Sequence, residues 1–206
     1  MRKPVIVVTG GIATGKTTVA RALAADRGSV VDCDRIGHEV LDTKDVTRAV
    51  ARAFGKGILT PSGRISRVKL GRIVFADQSK LDLLNRTIRP FLKKMISAEV
   101  MWSRQSAEYI VLDAVLYFQY KFRFKVDLVV CTVASKKTRL ERLAKRDGMQ
   151  REEALDRIAR QEALAADWRK ADISIRTDGP IEKVIEKTDR IRERFLRSYL
   201  DSGKER

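Results

Sequence analysis

The chain has 206 residues, room for one compact α/β domain with an insertion and too few for two independent domains. Hydrophobic residues make up 44% and charged residues 34%, so the chain can bury a core and is not itself a disordered tail. Lysines and arginines number 43 against 27 acids, and the resulting charge of +16 implies an anionic substrate or a polyanionic partner.

In chain order, Met1-Arg2-Lys3 mimics the charged start of a secretory signal, but the apolar run Val5 to Val8 stops at Thr9-Gly10-Gly11, too short for a signal core. Val5 to Thr9 reads instead as a buried strand, and Val19, Ala20, Leu23 and Ala24 mark the helix after it. A second strand is expected at Val30-Val31-Asp32-Cys33, a third at Tyr109 to Leu112 and a fourth at Leu128 to Val133. Ile173-Ser174-Ile175 is a weaker fifth. Between the second and third strands lie roughly seventy-five residues, far more than a single crossover helix needs. There, Val46, Ala49, Val50, Ala53 and Phe54 form a helical stripe, and Pro90 is expected to open a further helix carrying Leu92, Met95, Ile96 and Val100. Pro61 to Val100 holds nine basic residues against three acidic ones, so this insertion is basic. Ser135 is placed to cap a helix from Lys136 to Arg146, broken at Asp147-Gly148. A second helix then turns Ala154, Leu155, Ile158 and Ala159 inward. Asp178-Gly179-Pro180 announces a last helix, with Ile181, Val184, Ile185, Thr188, Ile191, Phe195 and Leu196 on one face; the tail from Asp201 to Arg206 is expected to fray.

The alternation predicts an α/β fold, a doubly wound parallel five-stranded sheet with helices on both faces. The expected division is a core of residues 1–34, 109–135 and 171–200, a helical substrate subdomain of 35–108, and an arginine-rich lid of 136–170. No apolar stretch approaches the roughly 18 residues of a membrane span. Cys33 and Cys131 lie in apolar runs without metal-ligand spacing, so neither a disulfide nor a zinc site is indicated. A reducing, cytoplasmic setting follows, with organelle association left open. Aromatics at 6% are sparse for stacking bases, so nucleic-acid contact is not expected, although the charge alone does not rule it out. Oligomeric state is not legible.

The sharpest feature is Gly10-Gly11-Ile12-Ala13-Thr14-Gly15-Lys16-Thr17, which fits G-x-x-x-x-G-K-[ST] between a strand and an amphipathic helix. Glycines let successive backbone N–H groups converge on phosphate oxygens, and the helix N-terminus adds its positive end. Lys16 can then reach the β- and γ-phosphates and the Thr17 hydroxyl can ligate Mg²⁺. Asp32 and Asp34 stand at i and i+2, on one face of an extended segment, where one could take the proton of an acceptor hydroxyl. Tyr109 to Leu112 followed by Asp113 has the form of a strand whose terminal acid holds Mg²⁺ or its water shell. Strand-end aspartates also serve as ordinary caps and turn formers. Arg139, Arg142, Arg146, Arg151, Arg157 and Arg160 stud the two helices around Gly148, a pattern suited to a lid that neutralises a triphosphate. A solvated face laced with Glu141, Glu152, Glu153 and Asp156 is the plainer reading of any single arginine, as packing or exposure is for the lone His38.

Together these residues resemble the dephospho-CoA kinase family of P-loop enzymes over most of the chain. Val8 to Ala20 looks like the family's T-G-G-I-x-S-G-K-S-T-V opening, and Asp32-Cys33-Asp34-Arg35-Ile36 with Val40 looks like its D-A-D-x-I…V segment. Gly63-Arg64-Ile65-Ser66-Arg67, Leu70 and Val74-Phe75 follow its G-x-I-x-R…L…V-F pattern. Arg142, Leu143, Arg146-Asp147-Gly148, Ala154, Arg157-Ile158 and Gln161 resemble its lid sequence. The departures are Arg89 in Ile88-Arg89-Pro90 where the family has histidine, Val115 and Gln119 where it has proline and glutamate, and Thr177 where it favours asparagine.

The resemblance implies ATP-dependent phosphorylation of the ribose 3′-hydroxyl of dephospho-CoA, the last step of coenzyme A synthesis, with ATP and Mg²⁺. It implies Asp34 as catalytic base, with Lys16 and Arg142 also catalytic. Gly11, Ile12, Ala13, Thr14, Gly15, Lys16, Thr17 and Thr18, with Arg142 and Arg146, would bind ATP. Asp34, Arg67, Arg89 and Asp113 would bind substrate, and Thr17 and Asp113 would hold the metal. Another nucleotide or small-molecule P-loop kinase, or a catalytically decayed ATP- or nucleic-acid-binding relative, are the alternatives.

Overall fold

The computed structural model of the chain describes residues 2–161 and 164–204; residues 162 and 163 of the expected lid and the end of the expected tail lie outside the described residues. Five strands form one sheet: β1 (Val5–Gly10), β2 (Gly28–Asp32), β3 (Tyr109–Asp113), β4 (Leu128–Val133) and β5 (Ile173–Arg176). All pairs are parallel and the order is β2-β3-β1-β4-β5. β1 is buried along its whole length, as its unbroken β-branched run requires of a strand covered on both faces. The chain passes from β1 to the β2 edge and returns through β3, then crosses to β4 on the other side. The strand order therefore reverses at β1, and the crevice at the carboxyl ends opens there. Asp32 pairs with Asp113, so β2 and β3 end level, and Val8 pairs with Asp113, so β1 runs on past them to Gly10.

Two helices cover one face, α1 (Lys16–Ala24) and α10 (Ile181–Lys204). Ile6, Val8, Val19, Leu23, Val111, Val130 and Ile175 form the core beneath them, with Phe195 and Leu196 of α10 partly buried against it. Tyr109 donates from its hydroxyl to the carbonyls of Leu23 and Ala24 at 3.0 and 2.8 Å, satisfying two of the last acceptors of α1. Only Val184 and Thr188 of the expected α10 stripe are fully buried. Ile181 and Ile185 are exposed, because 185 lies about 100° around the helix from 184 and 181 stands in the first turn.

The remaining helices are α2 (Cys33–Glu39), α3 (Lys44–Phe54), α4 (Arg67–Ala76), α5 (Gln78–Ser103), α6 (Tyr117–Tyr120), α7 (Lys136–Asp147), α8 (Arg151–Arg160) and α9 (Ala165–Trp168). The chain divides into two compact units, one of residues 1–32 and 100–206, the other Cys33–Glu99. The boundaries differ from the expected 35–108: Cys33 and Asp34 join the second unit, and 100–108 belong to the first.

Several expectations are corrected here. Cys33 is already helical, so Asp32 and Asp34 do not share one face of an extended segment. Asp34 sits in the first turn of α2, where a carboxylate is favoured by the positive helix end. Pro90 does not open a helix but lies inside α5. Leu84, Ile88, Leu92, Ile96 and Val100 recur every four residues straight through it, and burial of that stripe outweighs one lost backbone hydrogen bond. Arg86, whose carbonyl the proline ring leaves without its helical donor, is exposed to water. Ala53 and Ala159, both expected inward, are exposed. No helix among the described residues is long and apolar enough to cross a membrane.

Candidate active site

The loop from Gly10 to Gly15 joins β1 to α1 and is built by its carbonyls. Gly10 has φ +136°, and a β-carbon there would come within 2.4 Å of the Thr132 carbonyl, so only glycine fits. Gly15 turns the chain into α1 at φ +83°. The Gly11 carbonyl accepts from Thr14 Oγ1 at 2.8 Å and from Lys16 Nζ at 3.2 Å. The Ile12 carbonyl accepts from Arg139 Nε at 2.9 Å, that of Ala13 from Arg142 Nη1 at 3.1 Å, and that of Thr14 from Thr177 Oγ1 at 2.8 Å. Four successive carbonyls are thus tied to side chains, while the Ile12 N–H goes to Gln161 and the Thr14 N–H to the Gly11 carbonyl; a glycine-bearing loop of this kind leading into a helix N-terminus is an anion-binding concavity. The first N–H groups of α1 have no carbonyl a turn earlier in the helix and add to it.

Thr17, in the first turn of α1, donates from Oγ1 to Asp113 Oδ2 at 2.7 Å. The register of β1 and β3 sets this contact, bringing the buried Asp113 beside the loop. A hydroxyl and a carboxylate are the hard oxygen donors Mg²⁺ prefers, and Mg²⁺ ordinarily takes one or two carboxylates and completes its shell with substrate phosphates and water. The pair therefore fits that ion.

The arginine helices of this unit are docked on the loop. Ser135 caps α7 by accepting from the Thr138 N–H, and Gly148 ends it in the left-handed conformation. Leu143, Met149, Ala154 and Ile158 form a small core between α7 and α8, against which Ile12 and Ala13 of the loop pack. Arg142 donates to both the carbonyl and the hydroxyl of Thr177 as well as to Ala13. Arg146 pairs with Asp147. Ala13, Gly15, Thr18, Arg142, Arg146, Thr177, Ile181 and Val184 are among the walls of a cavity of about 600 Å³. Its lining combines cations with apolar side chains, and the exposed Ile181 forms part of it.

Asp178 fixes the start of α7. Its carboxylate accepts from the Ser135 N–H at 2.7 Å, from Thr138 Oγ1 at 2.8 Å and from Arg176 at 3.1 Å, which holds it well below the usual carboxylate range. A depressed carboxylate contributes stability that is present above the unfolded value of about 4 and is lost as pH falls below it. Asp178→Asn is therefore expected to lower the melting temperature at pH 7, with the gap to the wild type closing as thermal melts are taken below about pH 4. Cys131 is buried and its thiol is pushed up to about 11 by desolvation. It should resist alkylation by iodoacetamide at pH 8 in the folded protein and react on unfolding, as peptide mass analysis would show.

Lys16, Thr17, Asp113, Arg142 and Arg146 thus come together in the first unit, with Gly11, Ile12, Ala13, Thr14, Gly15 and Thr18 around them. Thr177, read from sequence only as a departure, holds the loop. Arg139, read only as one of a series, is another of its ties. Gln161, whose Oε1 accepts from the Ile12 N–H at 2.6 Å, was legible only as part of a motif. In the second unit Asp34 is exposed on α2 and Arg89 is exposed on α5. Arg67 is engaged within that unit, donating to the His38 carbonyl at 3.1 Å and to Asp42 at 2.9 Å. Val115 and Gln119 follow Asp113, and the Val115 carbonyl accepts from Thr9 Oγ1 at 3.1 Å.

A phosphate-binding loop after the central strand, with a strand-end aspartate on its first helical hydroxyl, defines a P-loop nucleotide-binding protein. A model of the dephospho-CoA kinase family matches residues 4–183. The dephospho-CoA kinase of Carboxydothermus hydrogenoformans is 38% identical over 185 residues, covering 89% of this chain and 90% of that protein. That of Arabidopsis thaliana is 35% identical over 190 residues, covering 91% and 82%. A solved structure from Thermus thermophilus superposes with a TM-score of 0.73 at 26% identity, covering 98% of both chains. The chain belongs to the dephospho-CoA kinase family.

Proposed function

We propose that the protein transfers the γ-phosphoryl group of ATP to the ribose 3′-hydroxyl of dephospho-CoA, giving CoA and ADP. The observation that carries this reading is the loop itself, four carbonyls tied to side chains, Lys16 among them, beside the Thr17–Asp113 pair. ATP would lay its phosphates along the loop amides, with Lys16 moving from the Gly11 carbonyl to the β- and γ-oxygens. Its base would occupy the cavity beside Thr177 and Ile181, with Arg142 and Arg146 on the phosphate side. Mg²⁺, held by Thr17 and Asp113, would supply charge neutralisation at the β- and γ-phosphates. Asp34 would accept the proton of the attacking hydroxyl, and Arg67 and Arg89 of the basic second unit would bind the acceptor's phosphates. α7 and α8 would serve as the lid. Positioning and charge neutralisation would supply most of the rate, since the transfer needs no covalent protein intermediate.

We place the reaction in the cytoplasm, in keeping with the burial of both Cys33 and Cys131. The test is to incubate the protein with ATP, Mg²⁺ and dephospho-CoA and look for CoA by mass, ranking nucleoside monophosphates and small sugars alongside. Preference for one of those acceptors would replace the reading with another kinase. No transfer to any of them, with salt-sensitive RNA retention, would replace it with a decayed nucleic-acid-binding relative.

A further inference from the structure

Gln161 immediately follows α8, and none of the steps above uses it. Its Oε1 accepts from the Ile12 N–H at 2.6 Å, across 149 positions of sequence. The side-chain contacts described above to the backbone of Gly11–Thr14 go to carbonyls; this one goes to an amide.

The Ile12 N–H and the Gly11 carbonyl belong to one planar peptide unit and point in opposite directions. Gln161 therefore grips one end of the unit whose other end receives Lys16 Nζ at 3.2 Å and Thr14 Oγ1 at 2.8 Å. The unit cannot rotate without breaking both sets of bonds. Next to it Ala13 holds φ +59°, a conformation non-glycine residues adopt only when their surroundings impose it. The residue type also matters. A carboxamide oxygen accepts from the amide without bringing a negative charge beside the place where phosphates bind, as a carboxylate would.

We infer that Gln161 is a positioning residue for phosphoryl transfer. By holding the Ile12 amide it fixes the Gly11–Ile12 peptide, and through that carbonyl the place from which the Lys16 ammonium meets the terminal phosphates. The inference rests on reading this loop as the ATP phosphate cradle.

The test compares Gln161→Met, which keeps length and loses the acceptor, with Gln161→Glu, which keeps the acceptor and adds charge. Gln161→Met should shift the Ile12 amide proton upfield in the ¹⁵N–¹H spectrum of the nucleotide-free protein. It should also lower kcat about 10- to 100-fold with KM for ATP within about twofold. Gln161→Glu should keep the downfield Ile12 signal, recover most of kcat at saturating ATP, and raise KM for ATP. Unchanged kcat in Gln161→Met, an unmoved Ile12 signal there, or equal kcat losses in both variants would each overturn the inference. If Gln161→Met does not fold, Gln161→Asn, one methylene short of the amide, takes its place under the same outcomes. A wild-type protein that transfers no phosphate would instead defeat the function reading, and the Ile12 signal would still report on the bond.

Discussion

Asp34→Asn is expected to lower kcat by about 10²- to 10⁴-fold while leaving KM for ATP nearly unchanged. Asparagine keeps the size and one acceptor oxygen of the side chain but cannot take a proton from an attacking hydroxyl. The loss should therefore fall on the chemical step. ATP contacts would persist, because the loop, Lys16, Arg142 and Thr177 all lie in the other compact unit. Folding should persist too, since Asp34 is exposed at the start of α2 and asparagine also tolerates a helix N-terminus. Steady-state kinetics with both substrates varied, together with a thermal melt, separates these effects. Near-normal turnover in the variant would remove Asp34 as base.

Lys16→Met should lower kcat/KM for ATP by about 10³-fold with little change in melting temperature. Methionine retains an unbranched stem and loses the ammonium. The loop's shape does not depend on that one bond: the Gly11 carbonyl keeps Thr14 Oγ1, and Arg139, Arg142 and Thr177 still hold the carbonyls that follow. What disappears is the positive charge that would travel to the β- and γ-phosphates. ATP titration and turnover measured on the same preparation give the split between binding and rate. Activity within a few-fold of wild type would mean that another cation does this work.

Much of this was legible because local signals and burial agreed. Val5 to Val8 is apolar on every residue, as a strand covered on both faces must be, and Gly10 to Thr17 places its glycines where the backbone turns. Ser135 and Gly148 mark the ends of α7 by their own chemistry. Where two local readings competed, sequence reasoning went astray. Pro90 suits a helix start as well as it opposes a helix interior, and only the four-residue recurrence from Leu84 to Val100 decides for the interior. Carrying the β2 pattern on to Asp34 runs the strand two residues too far, because helix formation from Cys33 gives that carboxylate a favourable first-turn site.

The ties around the loop were least visible. Arg139, Gln161 and Thr177 reach it across 127, 149 and 163 positions, and nothing in a single sequence states which carbonyl or amide a distant polar side chain will find. Thr177 shows the cost of reading a departure as a loss. It is buried and bonded to both the Thr14 carbonyl and Arg142, so it supports the loop where the family favours asparagine.

A crystal structure of the protein with a non-hydrolysable ATP analogue, Mg²⁺ and dephospho-CoA would test the mechanism most directly. The analogue's β- and γ-phosphates should lie on the amides between Ala13 and Thr17, and the Asp34 carboxylate should stand about 2.6–3.2 Å from the ribose 3′-oxygen. Phosphates held away from those amides, or a 3′-oxygen met by some other group while Asp34 points to solvent, would contradict it.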